Sequence, residues 1–486
     1  MKKTSISAIL LAAQLAALAS CGGGTASTDT TASGGADTTV SADTEITRAN
    51  YPDTVPTDLD FEGETLTIIS RNDQELYLME FTAEEENGDI LNDAIYSRNR
   101  YVEERLNVKL ETLLAPGAWG DRNSFKGLIT ASAMAADGAI DIVPYYAFCQ
   151  PALAEQGIYM DLLGSGIEYI NLDQPWWYQD LVKNGAINGK LYFATGEIAI
   201  SSIAMMAAIA YNQSLAANYI KDVDLYQLVR DGKWTFDKML GLAQDVYHDV
   251  NGNTVADAAD IFGFDGGRGD QFIHAANVTI SRVEDGKRVL AMNNERMTTL
   301  VETMQAFYKT PGYLSTSVKF ETGAFQDGHV LFSNRYVRDI ASLREMKDDY
   351  GVLPLPKLDE AQKTYKTTLG DSYSQVGILV SSDNIPAADA AVELLAAQSY
   401  RSVTDVYYEN VLKVKYARDE NTAEMLDIIL AGIEVDFTEM YAELVNSPVG
   451  KMRDVLQEKS VEFASTYAAM EATVNQKLTE LYDKFE

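Results

Sequence analysis

The stretch from Glu64 to Tyr146 constrains the fold more than any other part of the chain. It opens with ETLTIISR (64–71), a β-rich run followed by the polar loop RNDQELY. A long helix comes next: Leu91, Ile95, Val102 and Leu106 recur at helical spacing, while Arg98, Arg100, Glu103 and Glu104 take the other face. NVKLETLL (107–114) reads as a second strand. In DGAIDIVPYY the run Ala139 to Val143 reads as a buried third, with Tyr145 and Tyr146 at its carboxyl end. Strand, helix, strand, helix, strand is the doubly wound α/β pattern, whose ligands bind at the carboxyl ends of the strands. Chain geometry alone thus gathers Arg71, Asn72, Asp73, Tyr145 and Tyr146 at one rim. Neighbours in a strand point oppositely, so one of the two tyrosines is expected to face a ligand.

The rest of the chain extends the pattern. A Trp pair and a Gly turn in NLDQPWWYQDLVKNGAINGKLYFATGEIAIS (171–201) precede a strand around Leu191 to Ala194. DGKWTFDKMLGLAQDVYHD opens a helix with Thr235 as N-cap and Phe236, Met239, Ala243 and Val246 on one stripe. DYGVLPLPKLDE (349–360) is a strand running into a proline-bounded turn, and GDSYSQVGILVSSDN is a strand feeding a helix begun by Pro386. Near the end, Phe463, Tyr467, Met470, Val474, Leu478, Leu481 and Phe485 repeat at intervals of three and four, a packing stripe with no ligand role. About 430 residues follow the N-terminal segment, more than one core usually serves, so two lobes are expected. The first is placed at 57–149, with 370–408 returning to it, and the second at 150–369, with the helices of 409–486 packing on it.

The N-terminus carries a different message. Lys2 and Lys3 precede an apolar segment from Ile6 to Ala19 with the charged start and short core of a secretory signal peptide. It is too short and too rich in small residues for a membrane span. Leu18-Ala19-Ser20-Cys21 resembles the lipobox of bacterial lipoproteins, which implies removal of residues 1–20 and lipidation of Cys21. The following 21–56 segment is Gly, Ser, Thr, Ala and Asp with almost no large apolar residue, and reads as a flexible tether. The expectation is a body held by a lipid anchor at the extracellular face of the cell membrane. A formal charge of −33 argues against nucleic acid, whose phosphates would be repelled. Cys149 is the only cysteine of the body; without a partner it reads as a small buried apolar residue.

Four stretches carry a resemblance: AIYSRNRYVEERLNV, PWWYQDLVKNGAINGKLYFATG, DGKWTFDKMLGLAQDVYHDVNGNTVADAADIFGF and YGVLPLPKLDEAQKTY. From about Leu59 onward the chain resembles extracellular solute-binding protein family 1, the maltose-binding-like receptors of ABC importers, and in particular its lipoprotein members from Gram-positive bacteria. The resemblance implies an α/β, two-lobed periplasmic-binding-protein type II fold with a hinge and an interlobe ligand cleft. It implies a monomer that binds a carbohydrate, an oligosaccharide foremost, and passes it to an ABC permease. By position it implies Arg71, Asn72, Asp73, Tyr145 and Tyr146 from the first lobe, and Asp270, Phe272, Asn334, Arg335 and Tyr336 from the second. The hinge-side strand would add Asp371 and Tyr373. Sugars suit such a set, because their hydroxyls want bidentate polar partners and their C–H faces want flat rings. Trp119, in the loop APGAWGDRN, is placed to flap over the cleft. Trp177 is either a cleft ring or, with Trp176, a wall of the second lobe; Trp234 reads as packing. Arg335 pairs either with a solute or with one of the many carboxylates.

DVNGNTVADAAD raises a metal question. Asp249, Asn251, Asn253, Asp257 and Asp260 occupy positions 1, 3, 5, 9 and 12 of an EF-hand-type loop, with the Val255 carbonyl at 7. Thr254 replaces the Gly at position 6, and Asp260 is shorter than the usual Glu. A structural Ca²⁺ is one reading and an acidic solvated turn the other; no cofactor is otherwise required. Rival functions are a peptide or polyamine receptor, a surface adhesin, and a glycan-acting lipoprotein. Catalysis finds little support: His248, His274 and His329 form no HExxH, and neither GxSxG nor a Walker loop is present.

Overall fold

The computed structural model describes residues 45–72, 75–320, 323–416, 420–457 and 461–485. Cys21, the signal peptide, most of the tether and Asp73 lie outside the described residues. The strands are β1 (Glu64–Arg71), β2 (Val108–Ala115), β3 (Ile142–Tyr146), β4 (Ala207–Asn212), β5 (Tyr247–His248), β6 (Ile261–Phe264), β7 (Ser281–Glu284), β8 (Lys287–Leu290), β9 (Val330–Tyr336), β10 (Tyr350–Leu353) and β11 (Ser374–Ile378). They form a four-stranded sheet in the order β11-β3-β1-β2, a five-stranded sheet in the order β10-β4-β9-β6-β5, and the hairpin β7-β8.

The first sheet follows from its sequence. β1 lies between two parallel neighbours, which demands burial, and its last four residues are all buried. Pairing with β2 runs from Glu64↔Val108 to Arg71↔Ala115. Between them the helix Ile90–Leu106 starts at Asp89, whose carboxylate accepts from the N–H groups of Leu91 and Asn92, and stops at Asn107 in the left-handed region. The third strand sits lower in the chain than expected, at 142–146 rather than 139–143. β11 returns antiparallel against it, Gln375↔Tyr145 and Ser374↔Tyr146, so both tyrosines are covered. The expected strand at Leu191 to Ala194 is extended chain with isolated bridges, Ala194↔Val376 among them.

Residues 150–194, placed in the second lobe by the sequence reading, pack instead on the first. The reason is two buried carboxylates on the helix Ile385–Gln398. Asp389 accepts from the N–H groups of Glu168, Tyr169 and Ile170, and Glu393 from the Trp177 indole at 3.0 Å. Trp176 and Trp177 accordingly belong to the core of β1, β11 and that helix. Elsewhere the reading holds: Thr235 caps the helix Phe236–Ala243, and Cys149 is a free, fully buried thiol.

Among the described residues, the segments 195–206, 366–373 and 399–416 join the sheets. The first two run side by side, with Gly370 N–H donating to Met205 at 2.9 Å and Ala207 N–H to Thr368 at 3.0 Å. Glu80 pins both. Its buried carboxylate accepts from Ser201 N–H (2.8 Å), Ser201 Oγ (2.6 Å) and Ser374 Oγ (2.7 Å). The 22-residue helix Phe463–Lys484 buries Tyr467, Met470, Val474, Leu478 and Leu481 as the stripe predicts. Its middle meets β8, through Asn475 and Leu290; its end reaches the first lobe, where Asn188 donates to Tyr482 at 2.8 Å. The C-terminal helices therefore touch both lobes, not the second alone.

Candidate functional site

Between the lobes lies a cavity of about 110 Å³ with four sources of lining. The first lobe contributes Ala147 and Phe148, just past β3. The second contributes Arg268, Asp270 and Gln271 beyond β6, and Tyr336 at the end of β9. The crossover 368–373 contributes Asp371 and Tyr373. The last source is a C-terminal wall, which includes Val435, Thr438, Glu439, Met440, Pro448 and Arg453.

The charges are ordered. Asp270 is buried between two guanidiniums, Arg268 at 2.8 Å and Arg453 at 2.9 Å. Burial would raise its pKa, yet the bonds to Arg453 and Arg268 win and hold the carboxyl below the usual range. Arg268 also donates to Tyr336 Oη at 3.1 Å, and burial pushes that phenol up to about 12. Glu439 pairs with His274; burial opposes protonation of the imidazole, but Glu439, helped by Asp436 and Glu434, raises its pKa to about 9. Lys366 neutralises Glu434 at 2.5 Å. Arg268 and Arg453 share one carboxylate, which leaves one positive charge, and Asp371 faces Arg268 with the opposing one. The cleft of this strongly acidic chain is therefore electrically balanced.

Close packing places the rings. A Cβ on Gly370 would lie 2.8 Å from the Tyr336 ring, so only glycine lets that ring lie against the crossover. A Cβ on Gly117 would meet the Arg71 stem at 2.5 Å, which is how the loop carrying Trp119 comes down on the first lobe.

Of the residues singled out from sequence, Asp270, Tyr336, Asp371 and Tyr373 line the cavity together. Trp119 stands at its rim, 45% exposed, with its ring 5.3 Å from Phe148 and 6.0 Å from Tyr146. Arg71 and Tyr146 form a buried pair beneath, the guanidinium 3.7 Å from the ring centre. Asn334 is one step removed, its amide donating to the Arg268 carbonyl at 3.4 Å. Asn72 is exposed outside the lining. The others are elsewhere. Tyr145 stacks on Phe125 in the core, because β3 turns that face inward. Trp177 is held by Glu393, and Phe272 packs edge-on to Phe236. Arg335 points to the far side of β9, bonded to Gln326 at 2.9 Å. Sequence reasoning missed Arg268, although it stands two residues before Asp270, and missed the whole C-terminal wall. The only local signal for that wall is the turn Ser447-Pro448-Val449-Gly450 breaking a helical pattern.

The acidic loop is knit by its own side chains. Asp249 accepts from the N–H groups of Gly252 (2.7 Å) and Thr254 (2.8 Å), and Asp257 from the amides of Asn251 (3.0 Å) and Asn253 (2.7 Å). Asp260, fully buried, accepts from Val250 N–H and from Tyr247 Oη, each at 3.1 Å. Thr254 adopts a φ of 64°, the conformation that EF-type loops meet with Gly. Among the described residues no three His, Cys, Asp or Glu side chains converge as metal ligands.

No known family profile matches the sequence, and no curated protein matches it. Solved structures do. One is a cyclic α-maltosyl-1,6-maltose binding protein from Arthrobacter globiformis, at 15% identity and a TM-score of 0.58, the match covering 86% of this chain and 100% of that one. A cyclo/maltodextrin-binding protein complexed with maltotetraose matches at 13% identity and 0.53, over 87% and 97%. The GacH receptor of Streptomyces glaucescens GLA.O, solved unliganded and with acarbose, matches at 13% and 0.51, over 87% and 99%. The chain has the mixed α/β, two-lobed fold of the maltose-binding-protein type, as the sequence resemblance implied.

Proposed function

We propose that this protein is an extracellular, lipid-anchored solute receptor that binds an uncharged oligosaccharide between its lobes and presents it to an ABC permease. The balanced cleft carries the reading. A polyamine or basic peptide would gain little from a site whose carboxylates are nearly all matched by cations, whereas hydroxyls suit Arg268, Arg453, Asp371 and Tyr336, and C–H faces suit the rings of Phe148 and Trp119. The binding proteins that share the fold bind maltodextrins and related sugars. A binder rather than a glycosidase fits Asp270, whose lowered pKa suits neither a proton donor nor a free base.

The cavity of about 110 Å³ falls short of the ~300–1,000 Å³ of ordinary small-molecule sites, so entry of a glycan requires the lobes to part. Solute held by both lobes then favours the closed form. Calcium at 249–260 belongs to the same proposal, supported by the all-oxygen donor set and the left-handed Thr254; binding would turn Asp249 and Asp257 from the loop to the ion. A thermal-shift screen with maltotetraose, spermidine, short peptides and CaCl₂ tests these points. A ligand at a hundred times its Kd adds about 2.7 kcal/mol to the folded state. A shift with spermidine or peptides and none with any saccharide would replace this reading by the cation receptor. Mass spectrometry of membrane-extracted protein tests the anchor; an unmodified Cys21 would remove it.

A further inference from the structure

We propose that the C-terminal wall is the specificity element of the cleft and that the Thr438 hydroxyl is its direct contact with the saccharide. The inference rests on the saccharide reading above. Thr438 lines the cavity, is fully buried, and its Oγ1 has no hydrogen-bond partner among the described residues. Its backbone is fixed, because its N–H donates to Asp436 Oδ1 at 2.7 Å at the start of the helix Phe437–Met440. A buried hydroxyl without a partner is unfavourable, and it is relieved when a group in the cleft supplies both a donor and an acceptor. A sugar hydroxyl does both, whereas an ammonium group only donates.

Three further observations make the wall a selector. It is tied to the first lobe by Tyr441 Oη donating to the Gly185 carbonyl at 2.7 Å and by Lys126–Glu443 at 2.5 Å. It is tied to the second by Arg453–Asp270 and Glu439–His274. A group held from both sides keeps its position, and rigid placement is what lets one hydroxyl discriminate between epimers or linkages. Beside Thr438, Val435, Met440 and Pro448 line the same surface with apolar atoms, the mixture a sugar ring presents.

The test is calorimetric titration of the purified protein with maltotetraose, for wild type, Thr438→Val and Thr438→Ser. Valine keeps the shape and removes the hydroxyl; serine keeps the hydroxyl. The proposal expects a five- to tenfold rise in Kd for Thr438→Val, a change within threefold for Thr438→Ser, and an unchanged or higher melting temperature of empty Thr438→Val. Wild-type affinity in Thr438→Val overturns the proposal and leaves the saccharide reading standing. A fall in the melting temperature of empty Thr438→Val also overturns it, because the hydroxyl would then serve the fold. Wild type that binds no saccharide at all overturns the reading and this inference with it.

Discussion

Replacing Glu80 by Ala removes one acceptor from three donors, two on the first crossover and one where the second enters β11: Ser201 N–H, Ser201 Oγ and Ser374 Oγ, at 2.6–2.8 Å. A buried donor left unmade costs about 1–3 kcal/mol, although the two hydroxyls can turn elsewhere and the N–H cannot. The opposite effect is also present: burial raises the Glu80 carboxyl pKa in spite of Ser201, Ser374 and Arg71, so the fold holds the ion at some expense. The balance for Glu80→Ala is about 3 kcal/mol, the low end of what breaking a buried charged network produces. Glu80→Gln should lose about 1 kcal/mol, because its amide oxygen still accepts from Ser201 and its N–H can donate to Ser374. At roughly 2.1 cal/mol/K per residue, the body from Thr47 to Glu486 loses about 1 °C of melting temperature per kcal/mol. Scanning calorimetry should therefore show a fall of about 3 °C for Ala and about 1 °C for Gln. Hydrogen exchange should quicken at 195–206 and 368–376 in the alanine variant alone. If Glu80→Ala melts with wild type and its crossovers stay protected, Glu80 does not pin the hinge and the argument is wrong.

Other consequences follow from the same contacts. Gly370→Ala would put a methyl 2.3 Å from Met205 Cε and 2.8 Å from Tyr336, so it should displace that ring, cost about 1–3 kcal/mol of stability and weaken saccharide binding; unchanged affinity in titration would count against Tyr336 as a cleft residue. Burial lifts the Glu393 carboxyl to about 8, only partly offset by its bonds to Trp177 and Asn171, so the folded protein holds more protons than the unfolded chain between about 4.5 and 8. His274, raised to about 9, likewise gives stability below 6.5 that disappears as pH rises through 9. Melting temperature should fall from pH 6 to pH 9, and Glu393→Gln should flatten the part of that slope below pH 8; an identical slope in the variant would contradict the assignment. Burial pushes the Cys149 thiol up to about 12, so iodoacetamide should label it only after denaturation, a point mass spectrometry settles.

The parts of the fold legible in the sequence are those written locally. The run at 64–71, the helix whose apolar face recurs from Leu91 to Leu106, and the cap at Thr235 each carry their own pattern over a few turns. Asp371 and Tyr373 could be placed near the cavity they line because they precede a strand recognisable by itself. What failed depended on distant partners. Nothing near 168–177 announces that Asp389 and Glu393, over two hundred residues on, will draw it into the first lobe. Tyr145 reads as a rim ring until β11 returns to turn it into the core. The C-terminal wall was read only as part of the helices of 409–486 packing on the second lobe; its place at the cleft arises from Arg453 meeting Asp270 and Tyr441 meeting Gly185.

The central claim is that an acidic protein carries a balanced cleft for an uncharged glycan. Calorimetric titration of the purified protein with maltotetraose and with spermidine, each at low and high salt, tests it most directly. The account predicts saturable one-to-one binding of the saccharide with an affinity indifferent to salt, and no specific binding of the polyamine. Tight spermidine binding that weakens with salt, alongside silence from the saccharide, would contradict it.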